Sequence, residues 1–229
     1  RGPGGRRLLL TSDGLTSRAL KDEFRAILGP DASAKSMLYI STAALAEGLP
    51  SFVVNQMAAG LRREFGLREV KVIDVAQVKG KQLEDQVAQL PAVDAVYLEF
   101  GNTYALRHHL RDSGGDEIVR RALDAGAVLV GSSAGSIVLG KTVQTAFWKN
   151  WDDKTAKGSI SDNWGDPAVA AGLDLCQGRS IFPHASGPYA DKAWQDEQQR
   201  RYGHSDHEVV RLADGQGLLI DGKSARMIR

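Results

Sequence analysis

Ala127-Val128-Leu129-Val130-Gly131-Ser132-Ser133-Ala134-Gly135-Ser136 is the stretch on which the reading of this chain turns. Its four leading apolar residues, two of them β-branched, predict a buried strand. Gly131 to Gly135 is a tight turn of small residues, and Ala134 to Leu139 opens a helical pattern. A Gly-x-Ser-x-Gly turn between strand and helix holds its serine on a strained corner, with the hydroxyl above the carboxyl end of the sheet. The helix beyond presents unpaired N–H groups and a partial positive charge to that corner. Ser133 is therefore the candidate nucleophile, and the Ala134 N–H a candidate donor to a developing oxyanion. The alternative for such a turn is a phosphate cradle at a helix N-terminus.

On both sides of this stretch, short apolar strands alternate with helical patterns. Strands are predicted at Leu8 to Thr11, Met37 to Ser41, Glu69 to Val75, Ala95 to Phe100 and Ala127 to Gly131. Helices are predicted between them, from Ser17 to Leu28, Ser51 to Phe65, Gln82 to Leu90, Thr103 to Arg111 and Glu117 to Ala125. Gly29-Pro30 and Gly66 supply the stops. This alternation predicts an α/β fold, a parallel sheet covered by helices on both faces. Regularity weakens over 144–167, which holds Trp148, Trp151 and Trp164; core or interface packing is the favoured role for these rings, with pocket lining the alternative. It returns at Arg179 to Phe182 and Gly217 to Asp221, expected to form a terminal hairpin or edge pair. A single domain over residues 6–229 follows, behind a loose tail at 1–5.

Composition narrows the function. The 229 residues are 42% hydrophobic and 25% charged, a globular balance. Basic and acidic residues number 29 and 28, so no global charge argues for nucleic acid or an anionic membrane. No apolar run reaches the roughly 18–20 residues that span a bilayer. Cys176 is the single cysteine, which excludes an intrachain disulfide and makes a cytoplasmic location the default expectation.

A serine hydroxyl needs a base, normally histidine. His108 and His109 lie in a helical pattern with Arg107 and Arg111, a solvated face. His204 and His207 fall in a polar loop, and without a third ligand their spacing predicts no metal site. His184 follows the strand Ser180-Ile181-Phe182-Pro183 and precedes small residues, the position where parallel α/β sheets hold their sites. The third member should be a carboxylate that fixes the histidine tautomer. Between Ser133 and His184 the choices are Asp152, Asp153, Asp162, Asp166 and Asp174, and physics alone does not choose among them.

Together these segments resemble the peptidase E family, the aspartyl dipeptidases, which are related to the cyanophycinases. The resemblance runs through Leu8 to Thr16, Phe100-Gly101-Asn102-Thr103, Gly131 to Ser136, Phe182-Pro183-His184 and Leu218 to Gly222. It implies a fold similar to class I glutamine amidotransferases, a flavodoxin-like parallel-sheet sandwich. It implies a Ser-His-Asp triad of Ser133, His184 and Asp162, with Asp166 in reserve. It further implies a second oxyanion donor at Gly101, substrate contact by Asn102, and a basic residue, Arg200 or Arg201, for a substrate aspartate. Phe100 stands where that loop commonly carries glycine. The expected activity is hydrolysis of short peptides through an acyl-enzyme, without metal or organic cofactor. The alternatives are a cyanophycinase-like or other serine hydrolase, and a non-catalytic amidotransferase-like binding domain. A two-fold homodimer is the generic expectation for a soluble oligomer.

Overall fold

The structure, a computed structural model, describes residues 5–156 and 162–229. The expected tail at 1–5 lies, apart from Gly5, outside the described residues.

Seven strands form one sheet in the order β3-β2-β4-β5-β1-β8-β9. They are β1 (Arg7–Thr11), β2 (Ser36–Ile40), β3 (Glu69–Ile73), β4 (Ala95–Leu98), β5 (Val128–Ser132), β8 (Gly217–Asp221) and β9 (Ser224–Ile228). The first five are mutually parallel; β8 runs antiparallel to β1 and β9 antiparallel to β8. Alternate residues of the central strands enter opposite cores. Leu8, Leu10, Leu38, Val96 and Leu129 face one side, while Leu9, Met37, Tyr39, Tyr97 and Val130 face the other. Both faces are apolar because helices cover both, which is why these strands read as near-continuous hydrophobic runs.

Helices α1 (Arg18–Leu28) and α3 (Ser51–Phe65) close one face, with Phe24 and Phe65 in edge contact. On the other face lie α4 (Lys81–Val87), α5 (Thr103–Ser113), α6 (Gly115–Asp124) and α7 (Ala134–Leu139). A short α2 (Thr42–Ala46) follows β2 directly. The sheet therefore has the expected α/β architecture.

The carboxyl-terminal part departs from expectation. Ser180–Phe182 and Gly217–Asp221 do not pair with each other. The first, β6, pairs in parallel with β7 (Val209–Arg211) in a separate two-stranded sheet. The second is β8, wedged between β1 and β9. β7 is only three residues long and β9 is largely exposed, so neither carries a clear apolar period. Helix α8 (Lys192–Arg201) is strongly polar and was equally silent in the pattern. Trp148 and Trp164 are buried, whereas Trp151 is 55% exposed. Among the described residues, no helix is long and apolar enough to cross a membrane.

Candidate active site

The carboxyl ends of β1, β4 and β5 lie side by side, because β5 sits between β1 and β4. Ligands of open α/β sheets bind outside such ends. At the end of β5, Ser133 has φ 47° and ψ −102°, outside the regions L-residues ordinarily occupy. Neighbouring groups hold it there. Ser133 N–H donates to the Thr11 carbonyl at 3.1 Å. Ser136 Oγ donates to the same carbonyl at 2.7 Å and accepts from Thr11 N–H at 2.9 Å. Gly135 packs so closely on β4 that a Cβ would lie 2.1 Å from the Leu98 carbonyl oxygen. The motif's last glycine is thus a steric requirement, and Ser136 is a brace between β1 and α7.

His184 meets this corner from the other side. Its Nε2 lies 3.0 Å from Ser133 Oγ, and its Nδ1 lies 2.7 Å from Asp214 Oδ1. A neutral imidazole so placed donates from Nδ1 and accepts from Nε2. Asp214 is brought there by strand register. β6 and β7 align Ser180 with Val209 and Phe182 with Arg211. Leu212 N–H then donates to the Phe182 carbonyl at 2.9 Å, and Ala185 N–H to the Leu212 carbonyl at 2.8 Å. The pairing continues past the strands and delivers Asp214 to the imidazole. Ser12, just beyond β1, completes the arrangement: its hydroxyl accepts from His184 N–H at 2.7 Å and donates to Asp214 Oδ1 at 2.9 Å. Ser186 Oγ donates to the other oxygen at 3.2 Å. Burial alone would raise the Asp214 pKa, but the bonds from Ser12, His184 and Ser186 outweigh it and hold the carboxyl below its ordinary value.

Asp162 lies elsewhere. Its carboxylate meets His108 Nδ1 at 2.8 Å and Arg111 Nη2 at 2.6 Å, on the carboxyl-terminal half of α5. Only the amino-terminal end of that helix, at Thr103, reaches the cavity beside Ser133. Residues 103 and 108–111 are separated by on the order of 8–12 Å along the axis. Asp162 is therefore engaged by a basic helix face and does not contact His184. Asp166 caps its own turn, accepting from Ala168 N–H at 2.9 Å.

The loop after β4 forms the opposite wall. Gly101 has φ 126° and is pressed against α2, where a Cβ would lie 2.3 Å from the Ala43 carbonyl oxygen. Asn102 N–H donates to that same carbonyl at 3.1 Å. Beneath the loop, the buried Glu99 accepts from Phe100 N–H at 2.8 Å and from the Tyr39 hydroxyl. Burial pushes the Glu99 carboxyl above its usual range. Asn102, expected to contact substrate, instead caps α5: its Oδ1 accepts from Ala105 N–H at 2.9 Å, and its Nδ2 donates to the Asp153 carbonyl at 2.9 Å.

A cavity of about 410 Å³ opens over Ser133, its wall including Phe100, Gly101, Lys149, Trp151, Asp152 and His184. Arg200 and Arg201 do not line it. Arg200 pairs with Glu197 at 2.6 Å on exposed α8, and the Arg201 guanidinium lies over the Tyr202 ring. The cavity's basic group is Lys149, whose pKa burial lowers to about 8. Asp152, its pKa raised by burial, accepts from Thr103 N–H at 2.8 Å. The Trp151 ring stands 5.4 Å from the His184 ring and donates its indole N–H to the Tyr189 hydroxyl at 2.9 Å. Among the described residues, no cluster of His, Cys, Asp and Glu has the makings of a metal site. His207, from the His-x-x-His pair, bonds Ser180 and Asp206.

The sequence profile of peptidase family S51 matches residues 8–228. A search of curated proteins finds no match. Among solved structures, the chain is similar to a candidate peptidase E protein from Listeria monocytogenes EGD-e, with 21% identity, a TM-score of 0.71 and coverage of 98% of each chain. It is also similar to a peptidase from an acI-B1 Actinobacterium, at 15% identity and a TM-score of 0.69, covering 100% of this chain and 89% of the other. At these identities the two structures speak for the fold.

Proposed function

This chain belongs to peptidase family S51, and from that membership and the geometry around Ser133 we propose that it is a serine peptidase acting on short peptides through a Ser133–His184–Asp214 triad. The observation that carries the reading is the unbroken relay of contacts, 3.0 Å from Ser133 Oγ to His184 Nε2 and 2.7 Å from His184 Nδ1 to Asp214.

His184 takes the Ser133 proton as Oγ attacks the scissile carbonyl carbon. The carbonyl oxygen, now anionic, is received by the N–H of Ala134, at the first turn of α7, and by the N–H of Gly101. Collapse of the tetrahedral intermediate breaks the C–N bond, and His184 returns the proton to the leaving amine. Water, deprotonated by His184, then attacks the Ser133 ester and releases the acyl product. Asp214 holds the imidazole tautomer and stabilises the transient imidazolium without taking its proton. The bonds it accepts from Ser12, His184 and Ser186 favour its ionised form.

The cavity is sized for a small ligand. Arg200 and Arg201 lie outside it, and short peptides are the substrate class proposed. The test is hydrolysis of a dipeptide panel by the wild type and the Ser133→Ala variant. Loss of roughly 10⁴-fold or more in kcat is expected; undiminished hydrolysis by the variant would refute the reading.

A further inference from the structure

Among the described residues, no carboxylate is in ion-pair contact with Lys149, at the wall of the candidate active site. Its Nζ donates to the Pro183 carbonyl at 3.0 Å and lies 4.2 Å from the centre of the Trp151 ring and 5.3 Å from that of Phe182. Among the described residues it forms no ion pair. Asp152 and Asp214 act on it only at longer range, and each is held by partners of its own, Asp152 by Thr103 and Asp214 by His184, Ser12 and Ser186. Taking an ammonium out of water without a counter-ion is costly. An ammonium has three donors, of which the Pro183 carbonyl takes one. A ligand carboxylate in the cavity would supply a negative charge in direct contact and further acceptors.

The position of Lys149 decides which substrate carboxylate it meets. Pro183 immediately precedes His184, and the Trp151 ring under the ammonium also packs on the imidazole. The lysine therefore stands on the histidine side of Ser133. A general acid must reach the leaving nitrogen, so the leaving residue lies on the histidine side. In a dipeptide that residue carries a free α-carboxylate, separated from the leaving nitrogen by the α-carbon alone.

We propose that Lys149 is a specificity-determining residue that binds the α-carboxylate of the leaving residue, so that the enzyme selects peptides with one residue beyond the scissile bond. The proposal rests on the hydrolase reading above. A longer peptide or a C-terminal amide would place a neutral amide against the ammonium, and the half-exposed Trp151 ring would cover the leaving side chain.

The experiment takes the best-cleaved dipeptide, its C-terminal amide, and the tripeptide extended by one residue at the carboxyl end. Wild-type enzyme should prefer the free acid by roughly 10–100-fold in kcat/KM, the range of one charge-assisted contact. Lys149→Met should bring that ratio close to one, mainly by raising KM for the acid, and Lys149→Arg should restore part of it. A cooperative thermal melt together with fluorophosphonate labelling of Ser133 certifies that Lys149→Met retains its fold and nucleophile. A wild-type ratio near one overturns the proposal without any variant. So does a ratio that survives Lys149→Met, including the case in which that variant instead loses discrimination between acidic and neutral acyl-side residues. Ser133-dependent hydrolysis indifferent to amidation would sink the Lys149 assignment alone, whereas hydrolysis by Ser133→Ala would sink the underlying reading.

Discussion

His184 Nδ1 and Asp214 Oδ1 stand 2.7 Å apart although 30 residues separate them along the chain. The contact is made by parallel pairing of β6 with β7 and is braced by Ser12 from the end of β1. Asp214→Asn should lower kcat by about 10²–10⁴-fold, because a neutral amide neither fixes the tautomer nor stabilises the imidazolium. Asp162→Asn should leave kcat close to wild type, since that carboxylate serves His108 and Arg111. Steady-state kinetics on both variants check the pair; the opposite ranking would return the acid's role to Asp162.

The glycine of the β4 loop is the second point of leverage. Gly101→Ala puts a methyl group into the Ala43 carbonyl and a side chain at φ 126°, so the loop must move. Displacing one oxyanion donor costs about 10²–10³-fold in kcat. The expected result is that loss with KM little changed, measured on folded protein. A variant with normal kcat would mean that the Gly101 amide takes no part.

The tryptophans divide by environment. Trp148 is buried against Phe182, with ring centres 4.7 Å apart, and Trp148→Ala should cost about 3–5 kcal/mol of stability. Trp151 is more than half exposed and packs on His184. Trp151→Ala should lower kcat/KM while barely moving the melting temperature. Thermal melts alongside kinetics separate the two roles.

Acid stability should depend on His204. This side chain is buried beside Trp148 and Gln144, and burial, reinforced by the charge of His207, lowers its pKa from 6.5 to about 4. Between those values the unfolded chain binds a proton that the folded chain refuses. The stabilisation is therefore complete above about pH 6.5 and is lost as pH falls toward 4, by roughly 3 kcal/mol. Denaturant midpoints measured across that window should fall with pH, and the slope should flatten in His204→Gln.

Much of this arrangement was legible in residue order. The strands β1, β2, β4 and β5 announced themselves because they are buried on both faces, and the elbow because its small residues stand between a strand and a helix. His184 stood out by following a strand. Asp214 did not. It occupies an Asp-Gly turn, Ala213-Asp214-Gly215, a common surface signal, and it follows the histidine, whereas the expected acid lies between Ser133 and His184. Only the β6–β7 register makes it a neighbour, and a three-residue strand leaves almost no periodic trace. Lys149 was hidden for a similar reason, since its segment is irregular and its place in the cavity comes from Pro183 and Trp151. Asn102 stands before a helix, an ordinary N-cap position, and its side chain caps α5.

Fluorophosphonate labelling followed by peptide mapping tests the central claim most directly. A single adduct on Ser133 is expected, formed at least about 100-fold more slowly in His184→Ala because the hydroxyl loses its base. An adduct on another residue, or labelling of Ser133 at an unchanged rate without His184, would contradict it.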